Sequence, residues 1–251
     1  MLVETAVLMA TDTGMEDYFD ILRDDMLANF KAAQSRMARI EEGGVSPLPY
    51  NLLVGEVNRF YTSILCFDLV NFSDLTRTGT DNPNAALLLN TVVPTVIRAI
   101  SDFHGITVAS SGDEITALFG LEPQEASIAA KGALQAALHI ANFIEHIADK
   151  FLGRLLPNGL RCSIGMDQGE IHVACVGRRG INTLVPLGTP VHIAKNLHFL
   201  AGDNEIWVGE NFYNSLDPDF REAFFVEAPV GNWPWTSIET GEVYRAYRFA
   251  E

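Results

Sequence analysis

The chain reads as an α+β sandwich, a fold class in which helices cover a sheet around one core. Three observations predict it. Strand-like apolar runs alternate with helix-like stretches from Tyr61 onward in the order strand, helix, hairpin, helix. Two short strand-like runs, ITVAS and EITALFG, are hinged at Ser111-Gly112-Asp113. With 48% hydrophobic residues in 251 and a mean hydropathy of +0.13, the chain can bury one substantial core and is not a disordered segment.

In chain order, residues 13–44 step their apolar positions by threes and fours through Phe19, Leu22, Met26, Phe30 and Met37. This spacing predicts one long amphipathic helix, opened by a Thr13/Glu16 capping box and stopped by Gly43-Gly44. It either packs on its own domain or pairs with a second subunit. Pro47 and Pro49 mark a linker, so residues 1–58 are expected to form an N-terminal helix and linker, and 59–251 the main domain. Strand YTSILCFDLV comes next, then a helix over 84–103, the hairpin, and a long Ala-rich helix over 123–151. LRCSIGMDQ and EIHVACVG are expected to pair as a second hairpin turning at Gly169. A loop, a helix over 189–200, strand EIWVG, a helix over 210–216 and two terminal strands near FFVEA and EVYRAYRF complete the chain.

A net charge of -15 and a pI near 4.7 set a field that repels nucleic acid and anionic lipid, so neither is an expected partner. Cys66, Cys162 and Cys175 lie among apolar strand residues with no C-x-x-C pair. They are expected to be small core residues in a reducing cytosol, which places the chain in the cytoplasm. The N-terminus lacks a basic n-region, and no apolar run approaches membrane-span length.

Asp68 is the residue that asks for an explanation. It is an acid in an apolar run, where strand SILCF gives way to NFSDL, and backbone amides of Asn71, Phe72 and Ser73 at the following helix start suit phosphate. A helix cap would account for Asp68 alone. Asp113, in the hinge of the neighbouring hairpin, supplies a second carboxylate. Two converging acids beside a phosphate-binding turn repel unless a cation lies between them, and hard oxygen ligands suit Mg²⁺ or Mn²⁺. The pair therefore points to a two-metal site for phosphoryl transfer.

The runs FDLVNFSDL, HGITVASSGDEITALFG and IGMDQGEIHVACVG…LVPLGTPVHIAKNL together resemble the catalytic domain of class III nucleotide cyclases. The resemblance implies a ferredoxin-like βαββαβ core, a nucleoside triphosphate substrate, and a head-to-tail homodimer whose active sites are shared. It carries the metal aspartates onto Asp68 and Asp113, a metal-contacting carbonyl onto Leu69, and nucleotide contacts onto Phe67, Asn71, Phe72, Ser73 and Ser111. Where the family's adenylate cyclases read adenine, this chain has Ala109 and Val185. Where the family places a transition-state asparagine and arginine, it has His192 and Asn196, at i, i+4 on one helix face. Lys195, Arg178 and Arg179 remain as cations able to steady a pentacovalent phosphate or departing pyrophosphate.

These departures fit a degenerate nucleotide-binding module, an adenylate cyclase with substituted base readers, or a working cyclase for another base. Retention of both carboxylates favours a working enzyme. The chain is most similar to the stand-alone pyrimidine cyclases of bacterial Pycsar antiphage systems, which implies UTP ahead of CTP as substrate, cyclic UMP and pyrophosphate as products, and a separate effector that reads the product. Other prominent residues take plainer readings. His104, His139, His146, His172 and His198 have no metal-ligand spacing and read as surface or satisfied core residues. VGRRG is not a phosphate-binding Walker loop, and Trp233 and Trp235 read as staples for the C-terminal strands.

Overall fold

The computed structural model describes residues 28, 31, 51–77, 83–121, 125–156, 158–178, 180–231, 233–237 and 240–250. Of the helix expected over 13–44 only Ala28 and Lys31, both helical, are among these residues, and Arg179 lies outside them.

Strand β1 (Val57–Leu69) leads through the short helix α1 (Phe72–Arg77) into α2 (Pro83–Asp102). The hairpin β2 (Gly105–Ser111) and β3 (Glu114–Phe119) follows, then α3 (Ala126–Phe143) and β4 (Cys162–Arg178). This is the βαββαβ order, and the strands lie β2-β3-β1-β4 with every neighbouring pair antiparallel, as a ferredoxin-like core requires. β5 (Ile181–Leu187) folds back on β4, and α4 (Thr189–Leu200) crosses the sheet. The C-terminal part adds β6 (Ile206–Gly209), α5 (Glu210–Ser215), α6 (Pro218–Phe224), β7 (Phe225–Ala228) and β8 (Ala246–Phe249), which extend the sheet beyond β4.

The alternation of β1 sends its side chains to two cores. Leu65, Phe67 and Leu69 join the larger one, under α2 and α3, while Ile64 and Cys66 join a second one with Val191 and Ala194 of α4. Helix α2 presents Leu88, Val92, Val96 and Ile100, all fully buried, to the larger core. Each such side chain contributes about 1.5–3 kcal/mol of burial. Its segment Asn84–Asp102 is, contrary to expectation, long and apolar enough by length and composition to cross a bilayer. The buried stripe at helical spacing is that of a helix packed on a core.

Two expected elements are corrected, and two unexpected ones appear. β4 does not turn at Gly169 but runs unbroken through it, pairing with β1 from Leu69↔Cys162 to Val57↔Ala174. Gly169 instead makes room for Pro190 at the start of α4, whose Cγ would stand 2.7 Å from an added Cβ. The chain has reversed between Arg178 and Ile181, which face each other, and β5 occupies what reads as loop. The helix expected over 123–151 is interrupted by a π-helical turn at Ile144–Ala148 before its last turn, Asp149–Leu152. Helix α6, capped by Asp217 accepting from the Phe220 amide with Pro218 at its first position, was not expected at all.

On one edge β4 is bonded to β1 from Cys162 to Ala174. On the other it pairs with β6 at Ile164–Met166 and with β5 only from His172 onward, so the sheet forks at residues 167–171. Helix α4 lies against β4 near this fork. Gly165 permits it: a Cβ there would overlap the Ala194 carbonyl oxygen and the His198 amide. Trp233 and Trp235 pack with Ile193, Leu197, Trp207 and Tyr244, joining the C-terminal strands to α4.

Candidate active site

Asp68 is the penultimate residue of β1, on the same side as Cys66 and so facing the α4 side of the sheet. Asp113 stands in the β2–β3 turn, directly after Gly112, whose φ of 67° is the left-handed conformation that a tight turn demands of glycine. Both side chains are partly buried, and their carboxyl groups hydrogen-bond one another. The Leu69 amide donates to Asp68, and the Asp113 amide donates to its own carboxylate.

Burial pushes Asp68 up to about 7, with the negative charge of Asp113 and then that of Glu114 adding to it. Asp113 is also raised, again first by burial. At neutral pH the pair is poised to share a proton, the behaviour of two carboxylates too close to ionise together. A hard divalent cation can take that proton's place, so the donor chemistry fits Mg²⁺ or Mn²⁺. Among the described residues no group of three or more His, Cys, Asp or Glu side chains is arranged to hold a metal. Two carboxylates fill only part of an octahedral oxygen shell; a carbonyl such as that of Leu69, water and phosphate oxygens would supply the rest.

The chain enters α1 through Asn71, at φ 61°, a left-handed conformation that asparagine tolerates. Asn71 and Ser73 are exposed beside the carboxylates, and Phe72 is buried. The side chains of Phe67 and Leu69 are also fully buried, on the sheet face opposite Asp68, so they can meet a nucleotide only through backbone atoms.

The remaining expected residues divide by location. Ala109, partly buried, pairs with Thr116; Val185, partly buried, pairs with Ala174; and the two strands that carry them, β2 and β5, touch. The exposed Ser111 stands opposite Glu114. His192 and Asn196 are exposed on α4, with the His192 ring stacked 6.3 Å from Trp235 and the Asn196 amide donating to the His192 carbonyl at 2.7 Å. Lys195 is engaged: its Nζ lies 2.6 Å from Oε1 of Glu114 in the same chain. Arg178 is exposed at the tip of the β4–β5 hairpin. Asp68 pairs with Ser163 near the other end of β4, and at about 3.3 Å per residue the strand between Ser163 and Arg178 is roughly 50 Å long. Arg178 therefore does not reach Asp68 of its own chain.

His198 departs from the expected satisfied core histidine. It is buried, neither ring nitrogen has a hydrogen-bond partner, and burial lowers it to about 4, so the ring is neutral. All three cysteines are free and buried, as expected of core residues. Two acids gave no warning in the sequence. Glu114 adjoins the aspartate pair, and Asp167, fully buried, accepts a 2.9 Å bond from the Tyr244 hydroxyl. A groove of about 820 Å³ lined by His104, Gly105, Phe119, Lys131 and Gln135 opens at the opposite end of the β2–β3 hairpin and holds none of these residues.

A family model for the adenylate and guanylate cyclase catalytic domain matches residues 59–231. No curated protein matches the sequence. Among solved structures, the adenylyl cyclase CyaB from P. aeruginosa is similar with a TM-score of 0.63 at 16% identity, over 78% of this chain and 96% of that one. The guanylate cyclase domain of RhGC from Catenaria anguillulae, in complex with GTP, has a TM-score of 0.60 at 16% identity, over 77% and 98%. A dimeric guanylyl cyclase domain of the RhoGC fusion protein from the aquatic fungus Blastocladiella emersonii has a TM-score of 0.57 at 17% identity, over 76% and 97%. At these identities the likeness carries the fold.

Proposed function

The chain belongs to the adenylate and guanylate cyclase catalytic domain family, and from that premise we propose that it converts a pyrimidine nucleoside triphosphate, UTP ahead of CTP, into the 3′,5′-cyclic monophosphate and pyrophosphate. The observation that carries catalysis is the pair of carboxylates, Asp68 and Asp113, close enough to share a hydrogen bond and both raised in pKa by burial, Asp68 also by the charge of Asp113. Nothing in the packing of a core calls for two such groups, and their cost is offset only by a cation.

Asp68 and Asp113 would hold the metal, with the Leu69 carbonyl beside them, and must lose their shared proton to do so. When bound, two divalent ions acidify the ribose 3′-hydroxyl and neutralise the triphosphate. The exposed Asn71 and Ser73, on either side of the buried Phe72, would hold the triphosphate. The 3′-oxygen attacks the α-phosphorus, the bond to the bridging oxygen breaks, and pyrophosphate departs. Across the dimer, His192, Lys195 or Asn196 and one of Arg178 and Arg179 would steady that charge. Arg178, about 50 Å along β4 from Ser163, can do so only for a partner's carboxylates, which supports a head-to-tail homodimer with shared sites.

The choice of a pyrimidine rests on Ala109 and Val185. Both are apolar where the family's adenylate cyclases carry adenine-reading side chains, and the pyrimidine itself comes from the resemblance to the Pycsar cyclases. A cytoplasmic role in antiphage signalling, with the cyclic nucleotide read by a separate effector, follows from the same resemblance. One observation favours a degenerate nucleotide-binding module instead: Asn196 commits its amide to its own helix, at the His192 carbonyl.

Incubation with Mn²⁺ and each ribonucleoside triphosphate separately, with product mass and pyrophosphate recorded, decides among these. Cyclic UMP from UTP alone is the expected result. Cyclic AMP from ATP would overturn the pyrimidine reading, and nucleotide binding without any product would establish the module.

A further inference from the structure

The carboxylate pair has a third acid beside it. Glu114 follows Asp113, and one step beyond the last β1–β3 pair, Phe67↔Ile115, it stands across from Asp68. Their common face is fixed by the next row inward, where Cys66 Sγ lies 4.0 Å from Thr116 Oγ1. Three carboxylates thus crowd the end of β1 and β3, and the charge of Glu114 opposes ionisation of both aspartates. Glu114 is nevertheless engaged by a cation. Its carboxylate takes the Lys195 ammonium at 2.6 Å, with 28% of the Glu114 side chain and 42% of the Lys195 side chain exposed. Lys195 comes from α4, which Gly165 lets settle against the sheet at this level. Beside the pair, the neutral His198 and the Cys66 thiol, which burial pushes up to about 12, offer no competing charge.

A charge-paired lysine next to two aspartates has an effect that a simple helix anchor lacks. With Lys195 in place the cluster carries two uncompensated carboxylates; without it, three. We propose that Lys195 is a positioning residue acting within its own chain, drawing Glu114 off Asp68 and Asp113 so that the divalent-cation site is built from two carboxylates and holds its ions loosely until triphosphate oxygens complete them. This rests on the reading of Asp68 and Asp113 as the metal carboxylates. Glu114 is then the residue that sets how tightly a bare metal binds, through the charge it either shares with the pair or gives up to Lys195.

The two partners must act with opposite signs. Removing the ammonium releases a third hard ligand, whereas removing the Glu114 carboxylate leaves an unpaired cation beside the site. The test is Mn²⁺ binding without nucleotide, read from the electron paramagnetic resonance signal of free Mn²⁺. The variants are Lys195→Met, Glu114→Gln and the double substitution, with circular dichroism melting as the check on folding. Lys195→Met is expected to bind Mn²⁺ about tenfold more tightly, Glu114→Gln about tenfold more weakly, and the double variant to return close to the parent, as one unit of charge at such a site dictates. Lys195→Arg keeps the charge and should leave affinity unchanged, so that, together with Glu114→Gln, it still tests the proposal if Lys195→Met fails to fold. Weaker binding in both single variants, with no recovery in the double, is the signature of a structural latch and overturns the proposal alone. Mn²⁺ binding that is absent in the parent, or that survives Asp68→Asn, overturns the metal-site reading and this proposal with it.

Discussion

Asp167→Asn should make the protein more stable above neutral pH and flatten its response to pH. Asp167 is fully buried beneath α4; its Oδ1 accepts from Tyr244, and its Oδ2 has no hydrogen-bond partner. Burial raises it from 3.8 to about 7, partly offset by bonds from the Gln168 and Phe212 amides and from Tyr244, while Glu210 adds a smaller push upward. The folded state therefore holds the proton more tightly than the unfolded chain. The resulting stability is fully present below about 3.8 and lost as pH rises through about 7. Three pKa units at about 1.4 kcal/mol each set a ceiling of about 4 kcal/mol. Asparagine keeps an acceptor for Tyr244 and cannot ionise, so its advantage should grow from about 1.5 kcal/mol at pH 5 to about 4 kcal/mol at pH 8.5. Urea unfolding across that range measures it. Asp68 and Asp113, also raised, contribute with the same sign and His198, lowered, with the opposite sign, but both proteins contain them and the difference cancels them. A difference independent of pH, or a variant less stable throughout, would refute the reasoning.

Three further outcomes are expected. Alanine at Asp68 or Asp113 should abolish Mn²⁺-dependent turnover while the far-ultraviolet circular dichroism stays unchanged; full activity in either variant would remove that residue from the mechanism. Because Asp68 holds its proton up to about 7, Mn²⁺ binding should weaken as pH falls below 7 and release a proton to the buffer, which calorimetry in buffers of different ionisation enthalpy detects. Gly165→Ala should cost about 1–3 kcal/mol or more by lifting α4 off the sheet, since its Cβ has backbone atoms as neighbours; an unchanged melting temperature would show that the helix has room.

Much of the molecule is legible residue by residue. Strand β1 announces itself by its apolar run, and Asp68 stands out because an acid in such a run has no packing reason to be there. The turn at Gly112 names itself, and Asp113 with it. Gly169 misleads for a physical reason: a glycine between polar residues reads as a turn, but the lack of a Cβ serves Pro190, a neighbour whose position only the fold reveals. β5 escapes a sequence reading for the same cause, because a reversal between Arg178 and Ile181 rather than at Gly169 is what makes residues 181–187 a strand. Glu114 and Lys195 are ordinary charges in the sequence, and their meeting depends on where α4 crosses the sheet. Asp167 looks like a turn acid beside Gly169 and is instead one of the most buried groups in the chain.

The fork in β4 divides how the molecule opens. Around Met166 the strand is flanked on both edges, by β1 and β6, whereas at residues 167–171 only β1 holds it. Past the fork, the β4–β5 arm and the β6–β8 unit share no strand pairing. Either branch can peel away without breaking a hydrogen bond of the other, while neither can leave without first exposing the β1–β4 ladder they both border. Amide protons should accordingly exchange in three tiers, with the β1–β4 spine slowest and the two branches faster and independent of each other. Asp68 sits on the slow spine and Asp113 in the β2–β3 turn, whereas Val185 and Arg178 ride on a branch that carries neither carboxylate.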